Sequence, residues 1–177
     1  MPRIDRKGLR LVLATLGCAG ALVTLAWAVG LRWNRTASYP IGLYRLSKGH
    51  WRRGDLVLID VVADREAFRL AERRGYVREV DGKDAVIRLI KRVVAVEGDR
   101  VDVSAKVSVN GHELVNSLVR EFDSGGRPLP HEAIGGVVRP GEVWVMSDFS
   151  DRSFDSRYFG AVPTTFIEGR LRPVLTW

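Results

Sequence analysis

The longest stretch without a charged side chain covers residues 11–31 and separates a short basic segment from the rest of the chain. As an α-helix this stretch would measure ~31 Å, which is enough to cross the hydrocarbon core of a bilayer. The pattern therefore predicts a basic segment at 1–10, one transmembrane anchor at 11–31 and a single domain at 32–177.

Beyond the anchor, short apolar runs rich in β-branched residues predict strands. Asn110-Gly111 predicts a two-residue hairpin turn, because both residues tolerate positive φ. One helix is predicted at 64–74, where the first turn is acidic, the last is basic and Gly75 follows. We therefore expect a mainly β domain, an antiparallel sheet or barrel-like fold, with a helix and loop inserted at 63–84. The predicted strands are 56–62, 85–96, 101–103, 107–109, 143–146 and 166–174.

The charges beside the anchor predict its orientation. Short basic flanks stay in the cytoplasm, so the domain should lie outside, although Arg32 and Arg35 on the far side weaken this prediction. A cleaved export signal is an alternative, since Ala26-Trp27-Ala28 is a small-x-small cleavage site, but the apolar run exceeds the ~7–15 residues of a signal core. The basic flank consists of Arg3, Arg6, Lys7 and Arg10, opposed by Asp5.

Composition excludes some functions. The formal net charge is +7, yet residues 1–10 supply three of these charges and the remainder are spread out. Without a basic helix, a zinc-ligand spacing or a stacking-aromatic motif, a nucleic-acid partner is not predicted. The single cysteine, Cys18, lies in the apolar run, so neither an intramolecular disulfide nor a Cys-rich metal site is expected.

A candidate nucleophile, Ser38, follows the anchor closely, and it needs a base. The histidines at 50, 112 and 131 all fall in loop or turn settings, which leaves a Ser-His-Asp triad open but unsupported. Lys91 is the only polar residue on the face of strand 85–96 that also contains Ile87, Leu89 and Val93. Burial there would favour the neutral amine that a general base requires. A bulge that reverses the alternation, or a lysine whose amine reaches water, is the alternative.

Four segments follow one another behind the anchor: S-Y-P-I-G-L-Y-R at 38–45, G-D-L-V at 54–57, K-R-V-V-A-V-E-G-D at 91–99 and S-D-F-S-D-R-S-F-D-S-R-Y-F-G at 147–160. In this order they resemble the type I signal peptidases, and most closely the TraF-type peptidases of conjugative plasmid transfer. The likeness departs from the general signal peptidases at Ser147, Phe149 and Ser150, where those enzymes usually have Gly, Asn and Arg.

The resemblance implies a role for each matched residue and implies no metal or other cofactor. Ser38 would be the nucleophile and Lys91 the general base, and the Thr36 hydroxyl and the Ser38 N–H would bind the oxyanion. Ser153 would orient the lysine amine, while two ion pairs would support the site. These pairs are Asp155 with Arg157 and Asp148 with Arg92.

The resulting expectation is a signal-peptidase-like, membrane-anchored serine endopeptidase of the bacterial inner membrane, with a cytoplasmic N-terminus and a periplasmic catalytic domain. Its partners would be the lipid bilayer and an exported precursor with a small-x-small cleavage site. The TraF-type likeness implies a conjugative pilin subunit, whose ends could be joined if an amine resolved the acyl-enzyme. A non-catalytic anchored scaffold of the transfer apparatus and a self-cleaving Ser-Lys regulator are the alternatives.

Overall fold

The computed structural model describes residues 6–62, 65–77, 79–80 and 83–177. Residues 1–5 of the predicted basic segment and part of the predicted insertion at 63–84 lie outside these ranges. The helices are α1 (Arg6–Ala28), α2 (Glu66–Arg73) and α3 (Ser156–Phe159), with a 3₁₀ turn at Thr164–Phe166. The strands are β1 (Leu31–Asn34), β2 (Gly42–Ser47), β3 (Leu56–Val62), β4 (Glu79–Val80), β5 (Lys83–Ala95), β6 (Arg100–Val103), β7 (Lys106–Val109), β8 (His112–Leu118), β9 (Gly136–Val137), β10 (Glu142–Met146), β11 (Val162–Pro163) and β12 (Ile167–Thr176).

The first helix is long and apolar enough to cross a membrane, and no residue of its spanning window, within Lys7–Ala28, is buried in the described structure. The end of the helix contacts β1, where Arg32 Nη1 donates to the Trp27 carbonyl oxygen at 3.0 Å and the Arg32 guanidinium lies over the Trp27 ring. It ends at Ala28 rather than at residue 31, because Gly30 takes a φ of 84° and Leu31 begins β1. A Cβ at position 30 would lie 2.4 Å from the carbonyl oxygen of Leu46, so only glycine allows this close passage of the chain.

The described strands form two antiparallel sheets, which confirms the predicted mainly β fold. The larger sheet has the order β1-β2-β12-β3-β5-β10-β11, with β4 paired to β5. The smaller sheet has the order β8-β7-β6-β9. Its hairpin turn is the predicted one, since Asn110 and Gly111 have φ values of 52° and 79°.

The predicted insertion is partly strand rather than helix and loop throughout. Helix α2 is present, and its buried residues Ala67, Phe68 and Ala71 pack against the main core. However, β4 and the start of β5 occupy 79–80 and 83–84, because β4 turns back to pair with β5. The predicted helix was therefore confirmed, and the predicted loop was wrong at its C-terminal end.

Strand β5 runs through the centre of the large sheet and separates two apolar layers. Its partner β3 pairs with it without a register shift from Leu56↔Arg92 to Val62↔Val86. One layer contains Ile87, Leu89 and Val93, whereas Ile90 lies in the other. This regular alternation excludes a bulge at Lys91. The register shifts in the pairing of β5 lie on either side of it, opposite β4 at Glu79–Val80 and opposite β10 at Trp144–Val145.

Candidate active site

Ser38 lies in the turn that connects β1 to β2, and one buried asparagine organises that turn. Asn34, the last residue of β1, is 3% exposed. Its Oδ1 accepts hydrogen bonds from the Thr36 backbone N–H (3.0 Å) and the Thr36 hydroxyl (2.9 Å). Its Nδ2 donates to the carbonyl oxygens of Thr36, Tyr39 and Pro40 at 3.0, 3.1 and 3.0 Å. A single side chain therefore fixes the backbone on both sides of the serine.

A second side chain holds Ser38 from across the sheet. The hydroxyl of Ser147, which follows β10 and is 1% exposed, donates to the Ser38 carbonyl oxygen at 2.6 Å. The same Oγ accepts the backbone N–H groups of Phe149 and Ser150 at 3.1 and 3.0 Å. The serine that replaces the glycine of the general signal peptidases thus joins the 147–160 segment to the backbone of Ser38.

Lys91 lies in the core, as its strand alternation predicted. The residue is 2% exposed, and its Nζ donates to Ser153 Oγ at 2.8 Å. This burial excludes the alternative in which the amine reaches water. Loss of hydration lowers the pKa of Lys91 to about 8; the nearby Asp155 carboxylate opposes this shift, and the Arg157 guanidinium adds to it.

The Asp155–Arg157 ion pair is fully buried behind the lysine. Arg157 Nε donates to Asp155 Oδ1 at 2.8 Å, and Nη2 donates to Oδ2 at 3.1 Å. Arg157 Nη1 also donates to the carbonyl oxygens of Leu118 and Asp151, each at 3.1 Å. Because Asp155 Oδ2 accepts the Ser147 backbone N–H at 3.0 Å, the pair also fixes the residue that binds Ser38.

Asp148 and Arg92 form the second pair named in the sequence, on the opposite face of β5. Arg92 Nε donates to Asp148 Oδ2 at 2.6 Å, and its Nη1 donates to the Gly54 carbonyl oxygen at 2.6 Å. The Tyr39 hydroxyl donates to Asp148 Oδ1 at 2.6 Å. Burial and this hydrogen bond to a carboxylate raise the pKa of Tyr39. All four sequence segments are therefore tied together next to the serine.

Ser38 and Lys91 line the same open cleft, which has a volume of about 570 Å³ and also includes Thr36 and Ser153. Within it, Ser38 Oγ lies 3.2 Å from Thr36 Oγ1, whereas the hydrogen bond of Lys91 Nζ is made with Ser153. All three histidines are exposed and lie outside the cleft lining. The structure therefore brings together the predicted serine, lysine and threonine but leaves the histidines apart from them.

Sequence reasoning missed the contributions of Asn34 and Tyr39 and gave Ser147 no function. The only available signal was the departure at Ser147, where a serine stands in place of glycine. The hydrophobic pattern of the sequence did not indicate a role for Asn34. Its partners are backbone groups of an irregular turn, and such contacts produce no periodic arrangement of residues in the sequence.

The chain belongs to the signal peptidase family (Signal peptidase, peptidase S26), which matches residues 6–177. Among its relatives, a probable conjugal transfer protein TraF of Sinorhizobium fredii is 40% identical over 174 residues, which cover 97% of this chain and 91% of the relative. A plasmid transfer protein TraF of Escherichia coli is 38% identical, with coverage of 91% and 92%. The resemblance seen in the four segments is thereby confirmed.

More distant similarities are restricted to parts of the chain or to low identity. Thylakoidal processing peptidase 1 of Arabidopsis thaliana is 40% identical over 81 residues, which are 46% of this chain and 22% of that protein. The crystal structure of a signal peptidase I from Enterococcus faecalis V583 has 21% identity and a TM-score of 0.39, and covers 71% of this chain and 100% of that one. Together with helix α1, membership of this family indicates a membrane-anchored protein of the type I signal peptidase class, whose substrate is a precursor protein.

Proposed function

We propose that this protein is a membrane-anchored serine endopeptidase in which Ser38 is the nucleophile and Lys91 is the general base. The observation that carries the proposal is the buried Lys91 amine, with its pKa lowered to about 8, in the wall of the cleft that contains Ser38. With this pKa about a tenth of such amines lack the proton at pH 7, and their lone pair can accept one. An exposed lysine would be protonated almost completely.

The proposed reaction begins when Lys91 Nζ takes the hydroxyl proton of Ser38 while Oγ attacks the carbonyl carbon of the scissile peptide bond. The bond breaks when the tetrahedral intermediate collapses, and the Lys91 ammonium returns the proton to the leaving amine. Water then resolves the acyl-enzyme, with Lys91 again accepting a proton. In this scheme Ser153 holds Nζ at 2.8 Å and sets its direction.

Negative charge on the carbonyl oxygen requires donors that are already in place, each worth roughly 3 kcal/mol in the transition state. We assign these roles to the Ser38 backbone N–H and the Thr36 hydroxyl. Asn34 holds the Thr36 backbone through its N–H, whereas the Thr36 hydroxyl donates its single proton to Asn34 Oδ1 and must turn towards the substrate to serve as an oxyanion donor. The pairs Asp155–Arg157 and Asp148–Arg92 keep the 147–160 segment against the serine turn.

The edge of β5 supports an extended substrate. Its pairing with β4 ends at Ile87 and its pairing with β10 begins at Arg92, so within the described chain residues 88–91 have a strand partner only on the β3 side. A peptide in β conformation can add to such an edge, with small side chains at alternate positions. This arrangement suits a precursor whose cleavage site has small-x-small residues.

We assign segment 1–10 to the cytoplasm, 11–28 to the bilayer and the β domain to the periplasm of the bacterial inner membrane. The bilayer assignment is supported by exposed apolar residues on β1, the strand that follows the anchor, and at the end of the chain beside it: Trp33 on β1, Leu175 on β12 and Trp177 directly after β12, whose ring contacts Trp33. Because the relatives are named conjugal transfer proteins, we propose a pilin precursor as the substrate. Its own terminal amine could replace water at the acyl-enzyme and join the pilin ends.

The test is precursor processing by wild-type protein and by the variants Ser38→Ala, Lys91→Ala, Lys91→Arg and His112→Ala. We expect the first three variants to lose about 10³-fold or more in rate, Lys91→Arg included, because a guanidinium does not deprotonate in proteins. The His112→Ala variant should process normally. Normal cleavage by Lys91→Ala would eliminate the proposed dyad.

A further inference from the structure

The cleft that contains Ser38 is lined by more basic than acidic side chains. Five arginines line it, whereas Asp123 is the one carboxylate among its described lining residues. A partly enclosed cleft with walls of one charge concentrates the electrostatic potential and attracts ligands of the opposite sign. The arginines are Arg74, Arg88, Arg120, Arg127 and Arg152.

Three of these arginines already have carboxylate partners. Arg88 binds Asp60 through two hydrogen bonds of 2.7 Å, and Arg127 Nε donates to Asp123 at 2.7 Å. Arg120 is paired with Asp151. Their charges are therefore largely compensated and serve to hold the cleft walls.

The other two form no ion pair among the described residues, although Arg152 lies near the Asp151 carboxylate that Arg120 binds. Arg74 Nη1 donates to the Pro128 carbonyl oxygen at 2.5 Å and to the Tyr76 hydroxyl at 3.3 Å. Arg152 Nη1 has a single long contact of 3.4 Å with Ser124 Oγ, and the residue is exposed. Two guanidinium groups thus face the cleft with donors that a carboxylate could take up in a bidentate manner.

Both arginines occupy positions that a bound substrate would pass. Arg152 directly precedes Ser153, the hydrogen-bond partner of Lys91. Arg74 follows the last residue of α2, on the wall formed by the insertion. The open edge of β5 at 88–91 lines the same cleft through Arg88, Leu89 and Lys91, so a peptide paired with that edge would run within reach of the cleft arginines.

We propose that the cleft recognises a carboxylate of its substrate through Arg152 and Arg74, a few residues from the bond that is cut. The carboxylate would be either an acidic side chain or the free C-terminus of the precursor. This inference rests on the proposed function in one respect: it takes the cleft that contains Ser38 to be the place where the substrate binds. Recognition by charge would select among exported chains that share small residues at the cleavage site.

The test measures peptide binding to full-length Lys91→Ala protein in detergent by fluorescence anisotropy, so that no cleavage interferes. The probes are an extended peptide with a small-x-small site and a flanking Glu, its Gln counterpart, and both peptides with free or amidated C-termini. We expect a carboxylate peptide to bind about tenfold more tightly than its neutral counterpart. The Glu–Gln comparison detects an acidic side chain, and the free–amidated comparison detects the chain terminus.

Introducing Arg152→Gln and Arg74→Gln into the Lys91→Ala protein should remove the preference for carboxylate peptides without changing the affinity for the neutral peptides. Adding Arg139→Gln, an exposed arginine outside the cleft lining, should leave it intact. Equal binding of charged and neutral peptides, a preference that survives loss of both cleft arginines, or no binding at all would overturn the inference. Cleavage of the neutral peptide by wild-type protein but not by Ser38→Ala would then show that the proposed function stands without it.

Discussion

At the scale of single residues, Lys91 is a costly side chain to bury in the core. Taking an ammonium group out of water is costly, and the pKa of about 8, against 10.5 in water, expresses that cost. The hydrogen bond to Ser153 compensates only part of it. A residue that weakens the fold in this way is expected where chemistry requires it.

We therefore expect Lys91→Met to stabilise the folded protein, and the gain should depend on pH. The folded-state pKa of Lys91 is lowered, so the cost is fully present below pH 8 and disappears as pH rises past 10.5. The shift corresponds to about 3 kcal/mol in the free energy of unfolding. Denaturation at pH 7 and pH 10.5 measures the gain, with Lys48→Met, at an exposed position, as the control. A gain equal at both pH values would contradict the assigned pKa.

At the scale of elements, the nucleophile turn is held by side chains from the ends of two strands. Asn34 closes β1, and Ser147 follows β10, so the position of Ser38 depends on the relative placement of both strands. The strands themselves supply the rigidity, since β10 is anchored to β5 one residue from Lys91.

We expect Ser147→Ala to lower kcat by about 10- to 100-fold with little change in KM, because a nucleophile displaced by a fraction of an ångström attacks poorly. Ser117 provides a matched control, as it is 2% exposed and its hydroxyl donates to the Leu114 carbonyl oxygen at 2.7 Å in the smaller sheet. Ser117→Ala should lose similar stability and keep its kcat. If both variants retain wild-type kcat, Ser147 has only a structural role.

The elements also show how far the sequence could predict the site. Alternation alone placed Lys91 on a buried face, because strand periodicity directly reports which side chains share a layer. The position of β12 between β2 and β3 was not predictable, since periodicity does not identify a strand's partners. The apolar run at 11–31 continues three residues past the end of α1 for a related reason, because hydrophobicity does not separate a long apolar helix from an apolar strand beside it. Only the backbone at Gly30 makes that distinction.

At the scale of the whole molecule, the anchor and the β domain are nearly independent in structure. No residue in the spanning window of α1 is buried in the described structure, its contact with β1 is made by Trp27 near the helix end, and the chain enters the sheet directly at Leu31. We therefore expect the anchor to help the enzyme meet its substrate and to leave the chemistry of the active site unchanged. Tethering enzyme and precursor to one membrane raises their effective concentration without any new contact.

Removing residues 1–28 should leave cleavage of a soluble peptide within about twofold and reduce processing of a membrane-inserted precursor by ~100-fold. An unrelated apolar helix in place of residues 6–28 should restore processing. Both rates are measured in proteoliposomes. If the truncated protein processes the inserted precursor at the wild-type rate, the anchor has no role in the encounter.

The central claim is that a neutral Lys91 amine activates Ser38, and the pH dependence of kcat/KM on a peptide substrate tests it most directly. We expect the rate to rise about tenfold per pH unit at low pH and to level off near pH 8, the pKa of Lys91. Substituting His50, His112 or His131 with alanine should leave this profile unchanged. A rise centred between pH 6 and 7 that one of these substitutions abolishes would contradict the account.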